Sequence, residues 1–162
     1  IVTRKIGAPS QPELALGALD PDGEVLWQEG LMRELGLEVE DLGDEVKIQW
    51  KELKRREDIY RNGRMPLELE DKKVILVDDG IATGSTCLAA IKYLKRHNAQ
   101  KIILALPVAP QEAMQEVIRE VGEEGEVIVL ETPEIFGAVG QFYQHFEPVE
   151  DEEVINILNS KY

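Results

Sequence analysis

Two adjacent carboxylates, Asp78 and Asp79, close an apolar run from Val74 to Val77, and Gly80-Ile81-Ala82 separates them from Thr83-Gly84-Ser85-Thr86. The Thr-Gly-Ser-Thr segment opens a helical pattern. The first backbone N–H groups of a helix have no intrahelical acceptor, and that end carries about half a positive charge, so it favours an anion such as phosphate. Gly80 and Gly84 let the backbone turn and approach a ligand. The hydroxyls of Thr83, Ser85 and Thr86 add donors. In open α/β sheets, ligands gather where strands end at their carboxyl side, which is where the two acids stand.

Acids directly before an anion cradle suit a ligand with phosphate at one end and hydroxyls or a bound metal at the other. A ribose 5-phosphate has that form. The segment is neither Gly-x-x-x-x-Gly-Lys nor Gly-x-Gly-x-x-Gly, so the two common nucleotide loops are excluded. The competing reading makes the acids a capping pair without a ligand. One acid suffices for a cap, however, and this helix starts several residues later.

The surrounding elements follow from periodicity. Val74–Val77, Ile102–Leu106 (ended by Pro107) and Val127–Leu130 read as buried strands, and Ser85–Arg96 and Gln111–Val121 as helices. This alternation predicts a parallel sheet and an α/β class. Upstream, Ile1–Lys5 reads as a short strand with a turn at Gly7-Ala8-Pro9. Glu13–Leu19 and Glu24–Gln28 form a hairpin about Asp20-Pro21-Asp22-Gly23. A polar stretch follows. Helical spacing runs from Val39 to Tyr60 with Val46, Trp50 and Leu53 on one face, and Asp151–Leu158 is a short helix with an acidic start.

The chain has 162 residues, 43% hydrophobic and 31% charged, which fits one domain over 1–162 with a sizeable core. A net charge of −14 disfavours binding to a nucleic-acid backbone. No apolar run approaches the roughly 20 residues of a membrane span, and no secretory-leader pattern is visible. One cysteine, Cys87, permits no internal disulfide, so a reducing, cytoplasmic setting is the expectation. Cys87 has no histidine context and reads as a small buried apolar residue, while His97 and His145 read as structural or surface residues.

The stretch VILVDDGIATGST closely resembles the phosphoribosyl pyrophosphate (PRPP) loop of type I phosphoribosyltransferases. TRKIGAP, SQPELALGAL, RREDIYRNGR and ETPEIFGAVGQFY are similar to one subgroup, sometimes fused to hydrolase domains, so the resemblance spans nearly the whole chain. It implies a parallel sheet core flanked by helices, a β-hairpin/helix insertion and a small C-terminal hood. It implies transfer of phosphoribose from PRPP to a nitrogenous base, with pyrophosphate released, as in nucleotide salvage. Asp78 and Asp79 would hold the ribose hydroxyls, directly or through Mg²⁺-bound water, and stabilise an oxocarbenium-like transition state. Gly80, Ala82, Thr83, Gly84, Ser85 and Thr86 would bind the 5-phosphate. Mg²⁺ would bridge pyrophosphate and ribose oxygens.

Lys47 to Arg64 holds seven basic residues against three acidic ones, in the place where the family carries a mobile loop. Lys54, Arg55, Tyr60 or Arg64 could reach pyrophosphate, as could Arg4 and Lys5. The alternative is a solvated helix face with pairs such as Glu52–Arg56. Phe136 and Tyr143, with Phe142 beside them, are the hood candidates, against a reading as ordinary core aromatics. The family's upstream strand and pyrophosphate loop are not seen, and would lie before Ile1, as in a fragment, a processed product or a trimmed chain. That departure keeps a non-catalytic PRPP or nucleotide sensor, or a regulatory domain, as the alternative. A PRPP synthase-like kinase would need a duplicated domain and an ATP site. Family habit also suggests a homodimer.

Overall fold

The computed structural model describes residues 1–160 and divides into two compact units, Glu68–His145 and Ile1–Leu67 with the segment from Phe146 onward. In chain order, the strands and α-helices of the first unit are β1 (Arg4–Ala8), β2 (Gln11–Leu19), β3 (Val25–Trp27), α1 (Glu29–Leu35), α2 (Gly43–Arg61) and the last helix, α5 (Asp151–Asn159). The second unit holds β4 (Lys73–Val77), α3 (Ser85–Arg96), β5 (Lys101–Val108), α4 (Gln111–Val121) and β6 (Glu126–Glu131).

In the second unit the strands lie in the order β4-β5-β6, all parallel, with Val77 beside Ala105 and Val108 beside Glu131. This is the α/β arrangement that the alternating pattern predicts. Pleating sends successive side chains to opposite faces. One face presents Ile102, Leu104, Leu106 and Val108, all buried, and α3 and α4 supply buried Leu88, Ile91, Leu94, Met114 and Val117. The other face carries Ile75, Val77, Ile128 and Leu130, all exposed, with Leu130 at 75%. Pro107 does not end β5 as expected. It lies beyond the last β4 pair, so its missing N–H interrupts no bond to β4.

In the first unit β1, β2 and β3 form an antiparallel sheet. The expected hairpin turn is present and is nucleated by buried Asp20, whose Oδ1 accepts from the N–H groups of Asp22 (2.9 Å) and Glu24 (3.1 Å). Val46, Trp50 and Leu53 of α2 pack with Ile6, Leu19 and Val25, the face that the spacing picks out.

Three local expectations shift. β1 begins at Arg4 and runs through Gly7 and Ala8, because pairing with β2 extends it past the anticipated turn. The polar stretch contains α1, whose buried Met32 packs with Ala8, Leu16 and Leu42. The helix expected from Val39 starts as a 3₁₀ turn, Val39–Leu42, and becomes α-helical only at Gly43.

The two faces of the parallel sheet should respond differently to substitution. Leu104→Ala is expected to cost about 2–5 kcal/mol, and Leu130→Lys less than about 0.5 kcal/mol. Urea unfolding followed by circular dichroism reads both.

Candidate active site

β4 delivers Asp78 and Asp79 to its carboxyl end, and the chain must then reverse to enter α3. Gly80 makes that reversal with φ +152° in a buried position. A Cβ there would stand 2.9 Å from the Val108 carbonyl oxygen, from the Val108 Cγ1 and from the Val139 Cγ1. Only glycine fits both the dihedral and the space. The next residue is tied to the neighbouring strand, since the Ile81 N–H donates to the Val108 carbonyl at 3.2 Å. β5 thus supplies the wall against which the loop folds.

The helix end is open to an anion. Gly84 takes the N-cap of α3 with φ +77°, and no side chain caps that end. The first helical bond runs from the Leu88 N–H to the Gly84 carbonyl (2.8 Å). The Thr83 and Ser85 hydroxyls are 3.1 Å apart, with Ser85 buried and Ala82 and Thr83 exposed. Backbone donors, hydroxyls and the helix dipole therefore converge on one short loop.

The acids form a tense pair. The Asp79 N–H donates to Asp78 Oδ1 at 3.0 Å. Both residues are exposed, yet nearby protein strips part of their carboxyls' hydration. Burial raises the Asp78 pKa first and the Asp79 charge raises it further, while the backbone donor partly opposes them. Burial likewise raises Asp79. Hydroxyl donors or a cation would relieve the crowding. The oxygen-only donor set suits a hard cation held largely by water and substrate. Among the described residues no group of three or more potential ligands forms a closed metal cage. Cys87 is buried, and burial with the Asp78 charge pushes its thiol up to about 12, so it is no nucleophile at neutral pH.

The segment after β6 closes over this loop. A 3₁₀ turn, Val139–Phe142, sets Val139 against Gly80, and Tyr143 Oη donates to the Asp79 carbonyl oxygen at 2.6 Å. Phe136 and Phe142 stack with centroids 5.3 Å apart. Of the hood candidates, Tyr143 thus meets the acidic loop directly and Phe136 pairs with another aromatic. The walls at Val108 and Val139 carry no local sequence signal. Only the parallel pairing of β4 with β5 hints that Val108 would lie near the turn.

The cationic candidates lie in the first unit, each with a partner there. Arg4 Nε donates to Gln49 Oε1 (2.8 Å), and Lys5 pairs with Glu13 (3.0 Å). Lys54 donates to the Pro21 carbonyl and Glu57, both at 2.8 Å, and lies over the Trp50 ring. Arg55 joins Glu52 and Asp151, each at 2.7 Å, and Tyr60 donates to Asp151 at 2.5 Å. Arg64 donates to the Leu158 carbonyl and to Asn159. The expected Glu52–Arg56 pair forms at 2.7 Å, and hydrogen bonds from Arg55 and Arg56 hold Glu52 down to about 2.

An uncapped helix start beside two strand-end acids, on a parallel sheet, defines an α/β protein whose free backbone donors stand next to a pair of carboxylates. The family model for the phosphoribosyl transferase domain matches residues 22–135, and the chain belongs to that family. Two Mycobacterium tuberculosis proteins provisionally named phosphoribosyl transferases, Rv0571c of strain H37Rv and MT0597 of strain CDC 1551, are each 39% identical over 159 residues. The match takes in 98% of this chain and 35% of theirs, so the chain spans about a third of the length of these curated relatives. The crystal structure of TT1426 from Thermus thermophilus is similar with a TM-score of 0.70 and 35% identity, over 97% of this chain and 73% of that one.

Substitution of Gly80 by Ala should destabilise the fold by about 1–3 kcal/mol, the usual cost of a glycine-only conformation; thermal unfolding measures it. Asp78 and Asp79 bind a proton more tightly folded than unfolded, so their charged forms disfavour the fold. Their contribution is therefore greatest below the unfolded carboxyl pKa and is lost as pH rises through the raised folded value. In metal-free buffer, Asp78→Asn should raise the melting temperature at pH 7 and give progressively less gain toward pH 3.

Proposed function

We propose that residues 1–162 act as one Mg²⁺-dependent phosphoribosyltransferase domain that joins the 5-phosphoribosyl group of PRPP to a nitrogenous base. The bond from ribose C1 to pyrophosphate oxygen breaks and a bond from C1 to base nitrogen forms. Pyrophosphate leaves, and the base nitrogen gives up its proton. The observation that carries this reading is the adjacency of the Asp78–Asp79 pair to the uncapped start of α3.

In this reading the loop N–H groups and hydroxyls from Gly80 and Ala82 to Thr86 take the 5-phosphate. Asp78 and Asp79 accept from the ribose 2′- and 3′-hydroxyls. Their charge also favours the cationic character that develops at C1 as pyrophosphate departs. Mg²⁺, when bound, neutralises part of the pyrophosphate charge, and Asp78 and Asp79 would hold it through water. Phe136 and Tyr143 would border the base. Arg4, Lys5, Lys54, Arg55, Tyr60 and Arg64 are the candidates for pyrophosphate, and each already has a partner. No helix among the described residues is long and apolar enough to cross a membrane. The reading takes the protein as cytoplasmic and homodimeric.

Calorimetric titration of PRPP with and without Mg²⁺, into the parent and into Asp78→Asn/Asp79→Asn, tests the site. Mg²⁺-dependent binding that weakens at least tenfold in the variant is expected. Equal binding by parent and variant sinks the assignment. Pyrophosphate release with a panel of purine and pyrimidine bases tests turnover. Binding with no release from any base would favour the sensor reading instead.

A further inference from the structure

The Asp79–Gly80 peptide is held from several sides. Its carbonyl oxygen accepts from Tyr143 Oη at 2.6 Å. Its glycine is wedged between Val108 and Val139. One residue on, the Ile81 N–H is fixed to the Val108 carbonyl, and one residue back, the Asp79 N–H is fixed to Asp78 Oδ1. Glycine itself imposes little preference on the plane of this peptide, because it tolerates both signs of φ. Among these contacts, only the phenol holds the peptide by its carbonyl. Rotation of that plane would swing the carboxylates relative to the helix start and carry the loop N–H groups with it.

Tyr143 is in turn anchored by its own segment. Its N–H donates to the Gly140 carbonyl (3.2 Å), and the Gln141 N–H donates to Ala138 (3.3 Å), closing the 3₁₀ turn that also places Val139. The same short turn therefore supplies both the steric wall and the hydrogen bond that fix the loop.

We propose that Tyr143 is a positioning residue for the acidic anion loop: its hydroxyl sets the plane of the Asp79–Gly80 peptide and so aligns the carboxylate pair with the helix start. The role belongs to the hydroxyl rather than the ring. This inference deepens the ribose-phosphate reading and, for its ligand arm, rests on it.

The test is Tyr143→Phe, which keeps the ring and removes the donor, with Gln141→Ala as a control in the same turn that does not touch the loop. Hydrogen–deuterium exchange of the ligand-free proteins should show faster exchange at Gly80–Thr83 in Tyr143→Phe, with the interior of α3 unchanged and the control equal to the parent. Calorimetry should show PRPP with Mg²⁺ bound about three- to tenfold more weakly by Tyr143→Phe, the scale of one net hydrogen bond. Unchanged loop exchange overturns the proposal. So does faster exchange with unaltered PRPP affinity, since the hydroxyl would then support the fold without aligning the site. If the parent itself fails to bind PRPP, the ribose-phosphate reading falls, and the exchange result still decides whether the hydroxyl holds the loop.

Discussion

The turn at Gly80 is the constraint on which the site depends. A strand that ends in two carboxylates must reverse within a few residues and start a helix with its N–H groups outward. The reversal takes place against Val108 of β5 and Val139, in a space that has no room for a Cβ. Parallel pairing of β4 with β5 sets that wall, so the sheet's register determines the loop's shape. A one-residue slip would put a different β5 carbonyl opposite Ile81 and send β4's side chains to the wrong faces.

This turn creates an electrostatic mismatch. Two acids stand beside a helix end that attracts anions, and partial burial makes their charged state costly. Carboxylates shifted in this direction cluster at functional sites. Under the proposed function a sugar phosphate answers both halves, with phosphate for the helix end and hydroxyls, alone or with a cation, for the acids. The segment after β6 braces the loop from outside, through Tyr143 and Val139.

The first unit uses its charge differently. Its basic helix spends much of that charge on internal pairing: Glu52 receives Arg55 and Arg56, and Asp151 at the start of α5 receives Arg55 and Tyr60. Arg64 reaches the other end of α5, at Leu158 and Asn159. These residues strap α5 to α2. Individual exposed pairs of this kind contribute little, and a network anchored at both ends of a helix contributes by fixing its position.

The periodicity of the apolar residues determined the parallel strands, α3 and α4, because alternation and helical spacing are local properties of the chain. The order Asp-Asp, small residues, Thr-Gly-Ser-Thr determined which donors the loop before α3 offers for the same reason: they come from consecutive residues. The hairpin was legible in Asp20-Pro21-Asp22-Gly23, where the turn closes on the Asp20 side chain and carbonyl. Helix α1 was not legible, since a segment of only seven residues becomes a helix when Met32 finds Ala8, Leu16 and Leu42. Nor was the length of β1, which its partner β2 extends. The distant partners of the basic residues (Gln49 for Arg4, Asp151 for Arg55, Asn159 for Arg64), the wedge around Gly80 and the hydroxyl of Tyr143 on Asp79 were decided by the tertiary structure alone. Each joins residues many positions apart, and their meeting depends on how the strands pair and the helices dock.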